Sequence, residues 1–126
     1  MTNRPTLIKI GGSTLGSTDT TFEDVAAMAK AGNVPVVVHG GGAEASRWLD
    51  AMQIPSRFER GLRVTDEKVL TVVVAVFAGL VNKRIVAAIN AAGFRAVGFS
   101  GADGRLLECR LAPPEFGFVG EPEAVH

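Results

Sequence analysis

The chain has 126 residues, the size of one domain, with hydrophobic residues at 47% and charged residues at 21%, a composition that excludes a disordered chain and requires a buried core. Thirteen Lys and Arg balance thirteen Asp and Glu, so the basic excess of a general nucleic-acid binder is missing and no nucleic-acid partner is expected. The single Cys109 can build neither an intramolecular disulfide nor a multi-cysteine metal site, which fits a reducing cytoplasm, and no metal ligands are expected.

Taken in chain order, Thr6 to Ile10 is a short apolar run stopped by Gly11-Gly12, a predicted buried strand with Lys9 one residue before its end. No apolar segment of signal-peptide length precedes Lys9, and no signal peptide is expected. Thr20-x-x-Glu23 reads as a capping box, and Phe22, Val25, Ala26, Met28 and Ala29 follow at helical spacing up to Gly32-Asn33. Val34 to Val38 is a second predicted buried strand, ended by His39-Gly40-Gly41-Gly42. Ala43 to Met52 then reads as a helix with Trp48, Leu49 and Met52 towards the core. Strand, helix, strand, helix argues for an α/β protein with a parallel sheet.

Residues 57–65 predict a hairpin around Gly61. From Val69 to Phe77 the chain is β-branched enough for a strand, yet Asp66-Glu67 suits a helix first turn and no breaker intervenes before Gly79. A helix is therefore predicted there. Being apolar on all sides, it is expected to pack against a second subunit, giving a homodimer. The apolar run ends at Val81, short of the roughly 18 residues that span a bilayer, so no membrane helix is expected. A second helix follows from Asn82 to Ala92, then a third buried strand from Arg95 to Phe99, with further strands at Leu106 to Leu111 and Gly117 to Val119. Asp103 between glycines reads as a turn former, Cys109 as a core residue and His39 as a hydrogen-bonded structural residue.

Fifteen glycines exceed the usual share of about 7%. Two strand ends carry glycine clusters, and in open α/β sheets ligands bind beyond the carboxyl ends of the strands. Lys9, Gly11, Gly12, Gly40, Gly41 and Gly42 then share one crevice, with a following helix whose first N–H groups favour an anion. Ala43-Glu44 after Gly42 rules out a Walker A loop. Lys9 suits a phosphate, and Arg63 beside Gly61 suits a carboxylate gripped at two points.

Five segments, Lys9 to Ser13, Val37 to Gly42, Gly61 to Asp66, Gly79 to Lys83 and Ala96 to Gly101, occur in an order and spacing that resemble the amino acid kinase family, most closely its branch acting on N-acetyl-L-glutamate in arginine biosynthesis. The resemblance implies a three-layer αβα sandwich with a mainly parallel sheet, of which residues 1–126 would be a single N-terminal, substrate-binding lobe. It implies that Lys9 stabilises the transferring phosphoryl group with Gly11 and Gly12 nearby, and that Gly41, Gly42 and Arg63 hold N-acetyl-L-glutamate under a hairpin lid. The implied reaction phosphorylates a side-chain carboxylate from ATP with Mg2+, and it needs no base because the carboxylate is already ionised. Family members continue into a nucleotide-binding lobe with a further lysine and aspartate, whereas this sequence stops at His126, so the isolated chain is expected to be inactive. Two alternatives stand beside this reading: the related kinase acting on a carrier-protein-linked aminoadipate in lysine biosynthesis, and a non-catalytic module that binds an acidic metabolite or dimerises.

Overall fold

The computed structural model describes residues 4–11 and 20–126 of the chain. Strands β1 (Leu7–Ile10) and β2 (Val36–His39) pair in parallel, with Lys9 opposite Val38 and Ile10 opposite His39. Period-two alternation turns Ile8, Ile10 and Val37 inward and leaves Leu7, Lys9, Val36 and Val38 exposed. Helices α1 (Thr21–Lys30) and α2 (Gly42–Ala51) follow the two strands. Val25 of α1, Ala45 and Leu49 of α2, and the inward strand residues Ile8 and Val37 meet in one apolar cluster. Among the described residues β1–β2 is the one parallel strand pair, and the helices pack with its inward face.

Two expectations about these helices need correction. The Thr20 hydroxyl does not cap α1 but donates to Asp24 Oδ2 at 3.0 Å. Its backbone (φ −80°, ψ 8°) lies outside the extended region that aims an N-cap side chain at the first-turn N–H groups. In α2 the buried pair is Ala45 and Leu49, whereas Trp48 and Met52 are exposed. The indole N–H of Trp48 donates to Glu44 Oε1 at 3.2 Å, so the ring lies along the surface next to its i−4 neighbour.

After a short hairpin, described below, helix α3 (Glu67–Val74) continues through a π-helical segment, Ala75–Val81, into α4 (Asn82–Ala91). Asp66 caps it, its Oδ1 accepting from Val69 N at 2.9 Å. Gly79 does not break the helix: it is absent from the positive-φ glycines, and the chain widens there instead. The resulting 25-residue helix, with mean hydropathy 2.0 over its most apolar stretch, is by length and composition alone long enough to cross a membrane, longer than the apolar run suggested. Its Val69, Val72, Val76, Val81, Ile85 and Ile89 side chains form most of the domain interior. Burial is one-sided rather than all round, for Val74 is 56% exposed.

The segment 95–99 alternates in burial like a strand but pairs with no strand among the described residues. Side chains of α4 satisfy its backbone instead: Asn90 Oδ1 accepts from Ala96 N at 2.8 Å, and Lys83 Nζ donates to Gly98 O at 3.0 Å. Strand β5 (Leu107–Leu111) pairs antiparallel with β6 (Gly120–Val125). The last strand therefore starts later than Gly117. Pro114–Phe116 makes a 3-10 turn, and Gly117 leaves it at φ 68°. Pro122 inside β6 is tolerated because this ribbon has two strands, both edges. Cys109 is exposed on β5 and is not a core residue, since this ribbon contributes nothing to the main apolar cluster.

Candidate substrate-binding site

Ile10 and His39 end the two parallel strands side by side, and Gly40 N donates to Ile10 O at 3.2 Å. Both glycine turns therefore leave the sheet at the same end. Gly11 follows β1 there, while Gly12 lies outside the described residues. Lys9 projects from the exposed face of β1 next to this end, and no contact among the described residues ties it to Arg63.

Gly41 precedes α2 and is buried against the π segment; a Cβ there would meet Phe77 Cδ1 at 3.0 Å and Cε1 at 3.1 Å. Glycine thus lets the start of α2 sit directly on the Phe77 ring. Gly42 opens the first turn of α2, where a Cβ would meet nothing within 4 Å. First-turn N–H groups lack an i−4 carbonyl, and the helix dipole favours negative charge at this end.

The hairpin supplies the cation. Strands β3 (Phe58–Glu59) and β4 (Leu62–Arg63) pair with Phe58 opposite Arg63. Arg60 at φ 50° and Gly61 at φ 82° form the two-residue turn, the left-handed pair that matches strand twist. Arg63 reaches back across the hairpin to α2: Nη2 donates to Gly42 O at 3.0 Å and to Ser46 Oγ at 2.8 Å, and Nη1 donates to Ser56 Oγ at 2.5 Å. Its guanidinium carbon stands 4.5 Å from the centroid of the Phe58 ring, within cation–π range. The structure thus brings Gly41, Gly42 and Arg63 together at the start of α2.

A cleft of about 370 Å³ opens beside the same helix end, lined by Phe22, Gly41, Ala43, Glu44, Arg47, Val81, Arg84 and Ile85. Glu44 holds both arginines, Arg47 Nη2 at 2.5 Å and Arg84 Nη1 at 3.3 Å. The Arg47 hydrogen bond, ahead of the weaker effects of Trp48 and Arg84, keeps the Glu44 carboxyl below its ordinary range.

His39 is hydrogen-bonded through both ring nitrogens. Its Nδ1 lies 2.8 Å from Gly40 O, so that nitrogen carries the proton, and Nε2 accepts from Asn82 Nδ2 at 3.1 Å. The buried Asn82 accepts in turn from Lys83 Nζ at 2.9 Å. This chain of bonds fixes the end of β2 to the start of α4. Asp103 forms the expected turn, accepting from Ser100 N at 2.7 Å and Ser100 Oγ at 2.9 Å, and the backbone hydrogen bond is the main cause of its lowered pKa.

Sequence reasoning missed Ser46, Ser56, Phe58 and Asn82. The hairpin register could have found Phe58, which faces Arg63 across the two-residue turn. Ser46 stands four residues after Gly42 on the same helix face, a usable signal once Arg63 is known to touch that turn.

Residues 4–126 match the model of the amino acid kinase family, and the chain belongs to that family. Within it, the chain is 48% identical over 122 residues to an acetylglutamate kinase of Roseobacter denitrificans, covering 94% of this chain and 42% of the relative. It is 42% identical over 126 residues to an acetylglutamate kinase of Dehalococcoides mccartyi, covering 100% of this chain and 46% of the relative. The chain thus spans less than half the length of these curated relatives. Among solved structures it resembles smu.665 from Streptococcus mutans, with a TM-score of 0.88 at 23% identity over 98% of this chain and 51% of that one. It also resembles an N-acetylglutamate synthase from Neisseria gonorrhoeae complexed with coenzyme A and N-acetyl-glutamate, with a TM-score of 0.69 at 24% identity over 98% of this chain and 29% of that one. At these identities the structural likenesses establish the α/β fold.

Proposed function

We propose that this chain is the substrate-binding half of an acetylglutamate-kinase-like phosphotransferase. The observation that carries the reading is the Arg63 guanidinium held on Gly42 O and Ser46 Oγ at the start of α2, which sets a cation near a helix N-terminus whose dipole and N–H groups favour an anion. N-acetyl-L-glutamate would bind there through Gly41, Gly42 and Arg63, under the 58–63 hairpin as a lid. Its ionised side-chain carboxylate would attack the γ-phosphorus of ATP in line, giving an acyl phosphate and ADP. Lys9 would neutralise charge on the transferring group from the adjacent sheet end, with Gly11 and Gly12 beside it. Mg2+ would come with the nucleotide phosphates.

The remaining lobe would bring the nucleotide site and the second helical layer of the αβα sandwich. The outward sheet residues Leu7, Val36 and Val38, at 68%, 48% and 47% exposure, support this reading, because an apolar sheet face needs a covering layer. A homodimer through α3, with Val74 at the contact, is the proposed assembly, and the cytoplasm the proposed compartment.

Two assays test the reading. Calorimetry should detect N-acetyl-L-glutamate binding to the chain without nucleotide, and trapping with hydroxylamine should detect no ATP-dependent acyl phosphate from the chain alone. Turnover at the level of an intact kinase, or no binding at millimolar ligand, would overturn it.

A further inference from the structure

We propose that Ser46 competes with the substrate for Arg63 and lowers its affinity: its hydroxyl engages Nη2, the nitrogen that a two-point carboxylate grip requires, and the substrate binds by displacing it. The inference rests on the reading that N-acetyl-L-glutamate binds at Arg63, and deepens it.

A guanidinium has five N–H donors in a planar fork. Both edges able to offer a carboxylate two parallel N–H groups, Nε with Nη2 and Nη1 with Nη2, draw on Nη2. In this structure Nη2 donates both to Gly42 O at 3.0 Å and to Ser46 Oγ at 2.8 Å. Nη1 donates to Ser56 Oγ. Nη2, the nitrogen common to both edges, is therefore the one that carries two acceptors among the described residues.

Of the two Nη2 acceptors, the Gly42 carbonyl belongs to the backbone of the first helical turn and cannot retreat, whereas the Ser46 hydroxyl leaves by a single χ1 rotation. A carboxylate taking its place exchanges a neutral acceptor for a charged one, which makes the stronger bond. Ser56 accepts from Nη1 rather than Nη2, and the Phe58 ring lies against one face of the guanidinium. The two serines thus have opposite effects: Ser56 positions the arginine, and Ser46 withholds part of it until an anion arrives.

The test is calorimetric titration of N-acetyl-L-glutamate into the wild-type chain and the Ser46→Ala, Ser46→Thr and Ser56→Ala variants, with urea unfolding of each as a check. Alanine is a better helix former than serine, so Ser46→Ala keeps α2. The expected result is binding tightened by about two- to tenfold in Ser46→Ala, the worth of one net hydrogen bond, wild-type affinity in Ser46→Thr, and weakened binding in Ser56→Ala. Weaker or unchanged binding in Ser46→Ala overturns the proposal while wild-type binding preserves the reading beneath it. Absence of binding in the wild type removes both.

Discussion

Gly98 has no side chain because α4 leaves no room for one. A Cβ built there would stand 2.7 Å from Val86 Cγ2 and 2.8 Å from Asn82 Cγ, with Asn82 Oδ1 closer still. Its φ lies outside the left-handed range, so Gly98→Ala tests packing alone rather than backbone strain. Asn82 cannot swing aside freely, for its amide bridges His39 and Lys83. Forcing a methyl into a full site costs about 1–3 kcal/mol, and displacing the Asn82 amide adds about 1 kcal/mol for the bond to His39. The expected loss is therefore about 2–4 kcal/mol. With a urea m-value of about 2 kcal/mol/M, the unfolding midpoint should fall by about 1–2 M. Asn82→Ala in the same chain should recover part of that loss, since residues in contact do not add. A midpoint within about 0.2 M of wild type, equivalent to less than about 0.5 kcal/mol, would show that the segment 95–99 backs away freely and would refute the close packing.

Leu49, fully buried in the core cluster, should cost about 2–5 kcal/mol as Leu49→Ala by urea unfolding, and a loss under 1 kcal/mol would contradict its place there. Arg63→Ala should weaken N-acetyl-L-glutamate binding by about 1.5–3 kcal/mol, the range for a hydrogen bond to a charged group, while Lys9→Ala should change nucleotide-free binding little; calorimetry at fixed salt would expose the reverse pattern. Glu44 and Asp103 both have folded pKa values below their ordinary 4.5 and 3.8, so their stabilisation is full above those values and fades as pH falls through the lower folded ones. Urea midpoints taken from pH 7 down to pH 3 should therefore decline at the acid end, and Glu44→Gln should flatten the decline; a midpoint that rises on acidification would contradict this sign.

The parts of the fold that sequence revealed are those set by short-range patterns. Apolar runs stopped by glycine turns located β1 and β2, helical spacing located α1 and α4, and the positive-φ turn at Arg60-Gly61 closed the hairpin. Asp66-Glu67 correctly outweighed the β-branched run that follows, because an N-cap and an unbroken apolar stretch long enough to fill the core favour helix over strand. What sequence did not reveal depends on partners far along the chain. The segment 95–99 carries a strand pattern, yet Asn90 and Lys83 take its backbone groups. Helix α2 buries Leu49 as expected but leaves Trp48 on the surface, its indole N–H donating to Glu44, and β6 hides behind Pro122 and its glutamates, which pair with Arg110. At the candidate site, glycine turns pointed to Lys9, Gly41 and Gly42 and the arginine beside Gly61 pointed to Arg63, and the structure brings Gly41, Gly42 and Arg63 together. The serines that hold Arg63 were not, since nothing local to Ser46 or Ser56 announces an arginine 17 or 7 residues away.

The most direct measurement is a two-dimensional amide NMR titration of the chain with N-acetyl-L-glutamate in the absence of nucleotide. The largest shifts should fall on the amides of Gly41, Gly42 and Ala43 and on the Arg63 side chain, with Lys9 and the β5–β6 ribbon unmoved, and the shifts at α2 should vanish in Arg63→Ala. Shifts centred on Lys9 or on the ribbon, or a titration that leaves the start of α2 untouched, would contradict the assignment of this half as the substrate-binding one.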